Sequence, residues 1–333
     1  MTATSGNALA AGLVLLASCL LAWYGARLLE LGQPDRTSSA GVIDASGTFV
    51  PRGDYRRIAC SSTIAAELLP ELLPVDRLIL VPTWFRDSNP RAFRVELAPG
   101  PDGTAPIGTI DTLSSIEQLL AADPDLVVVN TFVAGGSARV QRLRALGITV
   151  LDLGVIHGIG TLRAQIRMLG TVCGVPERAA AIERGLLRRL ATVAAHVDAE
   201  ERLRAVYVAH HSGSLSGGTT GSSYHDLLRV AGLIDAAAER FQTPWPPYDP
   251  EHILGMDPDL IVTEHGRTGA ILATPGLDRL RAVQAGRIVE LPPGTDTTAL
   301  GLLPAAEFLC DAVYGPPPGL QALTDEAAPP AAP

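Results

Sequence analysis

Glu117-Gln-Leu-Leu-Ala-Ala-Asp-Pro-Asp125, running into Leu-Val-Val-Val, recurs as Glu251-His-Ile-Leu-Gly-Met-Asp-Pro-Asp259, running into Leu-Ile-Val. The offset is constant, since 251 − 117 and 259 − 125 both equal 134. Each copy reads as a short helix opened by Glu, an Asp-Pro-Asp turn and a buried apolar strand. Solenoid repeats recur every 20–50 residues or so, which excludes that architecture here. Two copies this far apart predict two similar α/β lobes, and two lobes imply a cleft between them.

Outward from the first copy the pattern is regular. Arg57-Ile-Ala-Cys-Ser-Ser reads as a strand with its exit loop, Thr63–Leu73 as a helix ended by Pro74, and Asp76–Val81 as a second strand. Helix 114–122, strand Leu126–Asn130, helix Ser137–Leu146 with Gly147 beyond it, and strand Ile148–Leu153 follow. Alternating strands and helices predict a parallel sheet, whose ligands sit beyond the carboxyl ends of the strands. The loops to watch are 60–63, 82–91, 130–136 and 154–159.

Thr161 to His196 is the longest helical stretch, interrupted or kinked at Cys173-Gly-Val-Pro176. Lying between the repeats, it reads as the connector of the lobes. The second lobe then carries strand Arg204–Ala209, helices Tyr224–Ala231 and Pro250–Met256, strands Leu260–Thr263 and Arg287–Leu291, and a last helix Leu300–Val313. Gly213–Gly221 is glycine-rich and reads as a flexible cleft loop. The expected fold is α/β: two Rossmann-like lobes joined by a single long α-helix, with the ligand cleft between them. Its divisions are 1–31 signal anchor or lipoprotein signal, 32–55 tether, 56–159 first lobe, 160–200 linker helix, 201–315 second lobe and 316–333 disordered tail.

At 333 residues and 47% hydrophobic, the chain can bury two cores of ordinary size. A net charge of −9 without a basic run argues against nucleic acid. Every basic side chain apart from histidine is Arg, which excludes chemistry that needs a Lys nucleophile. Ala8–Tyr24 is almost unbroken apolar sequence, about long enough to cross a bilayer at 1.5 Å per residue. Within it, Leu16-Ala-Ser-Cys19 resembles a lipobox, making Cys19 a candidate lipidation site. An uncleaved anchor, a lipoprotein and a cleaved signal all place the body outside the cytoplasmic membrane. Beyond Cys19, the odd number left by Cys60, Cys173 and Cys310 allows at most one disulfide, and small buried residues are the simpler reading.

Ligand candidates come from the loops leaving the strands: Trp84, Phe85, Arg86, Phe132, His157, His210, His211, Tyr224 and Trp245. Aromatic rings supply contact area for a large flat or hydrophobic chelate at small entropic cost. Neutral imidazole binds transition metals, yet no spacing here closes a site of about four ligands. Adjacent His210 and His211 in an extended strand point to opposite faces, so both do not readily serve one ion. No resident metal or cofactor is expected, and no catalytic residue: Gly-x-Ser-x-Gly, His-Glu-x-x-His and Walker motifs are missing from the sequence.

Together, Arg57-Ile-Ala-Cys-Ser-Ser-Thr-Ile-Ala-Ala-Glu67, Ile116–Leu126, Thr161-Leu162, Gly221-Ser-Ser-Tyr-His-Asp-Leu-Leu followed by Ala231-Gly232, Trp245-Pro-Pro-Tyr-Asp-Pro-Glu251, and Pro275-Gly-Leu with Val283-Gln-Ala-Gly-Arg-Ile288 carry a resemblance. In order and spacing the chain resembles the periplasmic substrate-binding proteins of ABC importers for cobalamin, iron siderophores and haem, over roughly Arg56–Tyr314. The resemblance implies capture of a metal chelate and its delivery to a membrane permease. It also implies docking of Glu117 and Glu251 on permease arginines, and ring-stacking roles for Trp84 and Trp245. Cobalamin-type relatives can join the second lobe to the last helix by a disulfide; here Cys310 matches one end and Ala231 stands at the other. The implied protein is a monomer, membrane-attached through its N-terminus, with any metal arriving inside the ligand. Two other readings stay open: a transition-metal receptor using cleft histidines, and an anchored α/β enzyme acting on a tetrapyrrole or chelate.

Overall fold

The computed structural model describes residues 37–83, 108–110, 116–130, 136–198, 202–211, 213–293 and 300–316. A hairpin of β1 (Gly41–Ile43) and β2 (Phe49–Pro51) comes first. The first lobe contains β3 (Ile58–Cys60), α1 (Thr63–Leu72), β4 (Leu78–Pro82), β5 (Gly108–Ile110), α2 (Ile116–Ala122), β6 (Leu126–Val129), α3 (Gly136–Ala145) and β7 (Val150–Asp152). Helices α4 (Ile159–Val172) and α5 (Pro176–Ala194) lead to β8 (Arg204–His211), β9 (Ser214–Gly217), α6 (Ser223–Val230), β10 (Ile234–Asp235) and β11 (Pro247–Tyr248). Then come α7 (Pro250–Met256), β12 (Leu260–Thr263), α8 (Thr268–Leu272), α9 (Arg281–Gln284), β13 (Ile288–Glu290) and α10 (Leu302–Tyr314).

The repeat is visible in three dimensions. β6 pairs in parallel with β3, and β12 pairs in parallel with β8, so each repeat strand lies against the first strand of its own lobe. Asp123 and Asp257 both take left-handed backbone, φ 50° and 40°, where the helix must turn sharply into the strand. The next aspartate fixes the neighbouring strand: the Asp125 carboxylate accepts from the Arg56 and Arg57 N–H groups at 2.7 and 3.0 Å, and that of Asp259 from the Arg204 N–H at 3.1 Å. A two-residue spacing thus converts each Asp-Pro-Asp into a clamp on strand entry.

The first sheet is all parallel, in the order β5-β4-β3-β6-β7. The second runs β11-β9-β8-β12-β13 with β10 also beside β8, and it is mixed, because β9 is antiparallel to both β8 and β11. The glycine-rich Gly213–Gly221 stretch, expected to be a flexible loop, therefore opens as a strand. Its Ser-Leu-Ser-Gly alternation buries Leu215 and Gly217, a signal masked by the glycines around it.

Period-two alternation distributes the strands between three apolar clusters. Ile58, Cys60, Leu126 and Val128 of the first lobe, with Ala205, Tyr207, Leu260 and Val262 of the second, join one cluster shared with α4, α5 and α10. The intervening Ala59, Val127 and Val129 face an outer cluster of the first lobe, and Val206, Val208 and Ile261 an outer cluster of the second.

The predicted linker divides at Cys173–Val175, where Pro176 starts a new helix. α4 and α5 fold back against each other so closely that a Cβ on Gly170 would lie 2.2 Å from that of Ala179. Buried Glu183 on α5 accepts from Arg163 Nε at 2.7 Å and Arg167 Nε at 2.8 Å on α4. Burial raises its pKa, but the two guanidinium groups outweigh this and hold it below the ordinary range. The joining helix is α5 alone, which packs on α1 of the first lobe and on α6 and α10 of the second.

Residues 37–55, expected to be part of a tether, are folded. Val42 and Val50 point inward and are fully buried, while their strand neighbours Ile43 and Phe49 face water. Buried Asp44 accepts from the Ser46, Thr48 and Asp152 N–H groups, each at 3.0 Å, and from Arg144 Nη2 at 2.5 Å. The Ser, Gly and Asp composition suggested a tether because the partners that fasten Asp44 to the lobe, Arg144 and Asp152, lie 100 and 108 residues away. Cys60, Cys173 and Cys310 are buried and unpaired, their thiols pushed up by burial to about 12, 12 and 11. Among the described residues no helix is long and apolar enough to cross a membrane, and Ala8–Tyr24, Cys19 and the 317–333 tail lie outside them.

Removing one partner of a buried ion pair leaves an uncompensated charge. Asp44→Ala is expected to lower the unfolding free energy by about 3 kcal/mol, read from urea unfolding with an unchanged slope.

Candidate functional site

The carboxyl ends of the second lobe's strands bring several predicted residues together. Tyr224, in the first turn of α6, stacks on Tyr207 of β8 with ring centroids 3.5 Å apart and planes 14° apart. Trp245, in the loop before β11, meets Tyr224 edge-on at 5.6 Å and leaves about half its surface exposed, 47%. Tyr207 Oη donates to Glu264 Oε1 at 3.2 Å, and His211 Nε2 lies 3.3 Å from the same oxygen. Arg267 Nε is 3.8 Å from Glu264 Oε2. Three predicted residues, His211, Tyr224 and Trp245, are thus linked through Tyr207 and Glu264 into one wall.

Local sequence explains each placement. β8 is buried from Ala205 to Ala209 and emerges at its end, so His210 is half-buried and His211 exposed. As expected for adjacent strand residues, they diverge: only His211 reaches Glu264. Ser222 caps α6 by accepting from the His225 N–H, which sets Tyr224 in the first turn facing the sheet. Beneath the loop, buried Asp235 accepts from Thr219 Oγ1 at 2.6 Å and lies 2.7 Å from His225 Nδ1. Burial, with the negative charge of Glu264 nearby, drives the Tyr207 pKa far above the ordinary phenol value, so its hydroxyl stays a donor.

Glu264 and Tyr207 were not singled out from sequence. Tyr207 reads as mid-strand core, and it does belong to the shared cluster. Glu264 carried a usable signal, as the residue directly after a strand that pairs in parallel with both of its neighbours. Glu290, the last residue of β13, accepts from the Gly266 and Thr268 N–H groups at 2.9 and 2.7 Å and holds the 264–268 loop against the sheet.

On the first-lobe side, His157 lies at the seam, its Nδ1 3.2 Å from the Gly221 carbonyl oxygen. Trp84, Phe85, Arg86 and Phe132 lie outside the described residues. Glu117 and Glu251 are both exposed in the first turns of α2 and α7, at matching places in the two lobes. Among the described residues no group of three or more His, Cys, Asp and Glu could hold a metal ion. What the wall offers is ring surface bordered by a carboxylate, an imidazole and a guanidinium, suited to an apolar, flat body with polar edges.

A family model described as periplasmic binding protein matches residues 58–295. The chain belongs to the periplasmic binding protein family. Among solved structures it is similar to a possible iron-binding periplasmic protein from Staphylococcus epidermidis: 15% identity, TM-score 0.64, covering 79% of this chain and 100% of that one. A periplasmic haem-binding protein from Pseudomonas aeruginosa gives 21%, 0.63, 78% and 93%. Helicobacter pylori CeuE with nickel bound gives 16%, 0.65, 81% and 87%. At such identities the likeness is one of fold. A comparison with curated proteins found no match. As a periplasmic binding protein, the chain has the two-lobed α/β fold expected from its repeat.

Hydrogen bonds from the Thr268 hydroxyl, the Thr268 N–H and the Gly266 N–H hold the Glu290 pKa down to about 2. Because the folded value lies below the ordinary 4.5, this stabilisation is present above 4.5 and is lost as pH falls through about 2. Glu290→Gln is expected to remove that acid dependence and to speed amide exchange at Gly266 and Thr268, measured by hydrogen exchange at pH 5 and pH 2.5.

Proposed function

We propose that this periplasmic binding protein is the extracytoplasmic receptor of an ABC importer, that it captures a metal chelate, and that it hands the chelate to the membrane permease. Haem, a ferric siderophore and a cobalamin are the chelates that this chemistry suits. The carrying observation is the half-exposed Trp245 ring set nearly perpendicular to the Tyr224–Tyr207 stack beside Glu264 and His211, at strand ends where such folds bind ligands. The names of similar structures, an iron-binding and a haem-binding protein, support the same ligand class. Trp84, Phe85, Arg86 and Phe132 would complete the enclosure from the first lobe, and His157 and His210 would border it. The protein acts by binding and not by turnover, as a monomer tethered through Ala8–Tyr24, with or without lipid on Cys19.

Glu117 and Glu251 would dock on arginines of the permease. Two exposed carboxylates at equivalent places engage two guanidinium forks together only when their separation matches, which lets the permease sense the state of the lobes.

Purification of the full chain from its host, followed by absorption spectroscopy, tests the reading. A chelate near one equivalent is expected; the reading fails if haem, ferric siderophore and cobalamin all leave the protein unbound, or if the chelate is converted to product. Trp245→Ala is expected to weaken binding of the co-purifying chelate about tenfold, by fluorescence-quench titration. Glu117→Arg with Glu251→Arg should abolish uptake while leaving Kd within about twofold, since docking charges lie away from the ligand.

A further inference from the structure

Among the helices that begin without a side-chain cap of their own, two have a carboxylate from the opposite lobe at the start. The N-cap of α4 is Gly158, with φ 104° and ψ −163°, a backbone that favours glycine. The missing cap comes from α6 of the second lobe, where Asp226 Oδ2 accepts from the Ile159 N–H at 2.7 Å. A Cβ on Gly158 would lie 2.2 Å from that oxygen, so the glycine also makes the approach possible. α6 does not need Asp226 for its own capping, because Ser222 already serves it.

The second case runs in the opposite direction. α10 of the second lobe follows Gly301, again with no side-chain cap, and the Gly301 N–H donates to Glu67 Oε2 at 3.3 Å. Glu67 belongs to α1 of the first lobe. The contact between His157 and the Gly221 carbonyl adds a third point on the same seam as Asp226. These partners are 67, 234 and 64 residues apart in sequence, so only the relative placement of the lobes brings them together.

We infer that Asp226 and Glu67 form a reciprocal interlobe clasp, two positioning residues that fix the separation of the lobes in the resting protein. Each carboxylate meets the positive end of a helix it does not belong to, where unpaired N–H groups and the helix dipole favour negative charge. The Asp226 bond, at 2.7 Å, is short and directional, so a small displacement of one lobe breaks it, and the longer Glu67 contact, at 3.3 Å, restrains the seam from the other side. Separation of the lobes must uncap both helices. The clasp thus adds a defined resting width to whatever stiffness α5 supplies.

The test uses the full chain in detergent with Cys19→Ser and spin labels at Arg142→Cys and Leu272→Cys, both exposed and on outer helices of different lobes. Pulsed spin-resonance distances are expected to be narrow in this parent. Asp226→Ala with Glu67→Ala should at least double their width, and exchange of the Ile159 amide should rise about tenfold. Asp226→Asn keeps a neutral acceptor oxygen and should fall between parent and Asp226→Ala on both readouts. Asp44→Ala, a defect confined to the first lobe, should leave the width unchanged. A folded double variant with the parent's width overturns the clasp. Should the double variant fail to fold, Asp226→Asn and Glu67→Gln are read in the same way, and parent-like width and exchange in both overturn it.

Discussion

The shared apolar cluster constrains everything else in this molecule. β3 and β6 of one lobe and β8 and β12 of the other turn alternate residues toward α4, α5 and α10, so neither sheet can bury its inner face without the helices between them. The strands are short, three or four residues in β3, β6 and β12, and a one-residue slip in any of them would exchange its inner and outer faces. Register is therefore decisive, and the Asp125 and Asp259 carboxylates sit where they can enforce it, each bound to the N–H groups at the entry of the adjacent strand. The turn that makes the repeat recognisable is also the part that aligns the sheets.

The same packing sets the geometry of the wall proposed to hold the ligand. Tyr207 faces the shared cluster from β8, and Tyr224 lies on it from α6, so the stack that supports Trp245 is an extension of the core. Rings held this way lose little further freedom when a ligand arrives, which favours a preformed surface over one that folds around its guest. Glu264, Arg267 and Glu290 form the polar margin, with the 264–268 loop pinned by Glu290. An apolar face supported by the core and a polar rim supported by hydrogen bonds suit recognition of a bulky guest.

Much of this architecture is legible in the sequence because it is encoded locally. The 134-residue repeat, the apolar strands and the breaker at Gly174-Val-Pro176 gave both lobes and most element positions. The finer division of the linker was harder to read, since the fold-back of α4 on α5 depends on Gly170 meeting Ala179 and on Glu183 meeting two arginines. The β1–β2 hairpin was hidden for the same reason: its anchor, Asp44, finds its long-range partners on α3 and β7. In the site, Tyr224 and Trp245 stood out as aromatics in loops, and His211 as a strand-end histidine. Tyr207 and Glu264, which join them, look like ordinary core and ordinary surface until the strands are laid side by side. Gly158 and Gly301 likewise show their meaning only beside the carboxylates that replace their missing caps.

The central claim is that a chelate sits between the lobes and touches both. Hydrogen exchange of the full chain with and without a saturating chelate tests this most directly. Simultaneous protection is predicted in 154–159 of the first lobe and in 214–222 and 264–268 of the second. Binding that protects one lobe alone, or leaves both unchanged, would contradict the account.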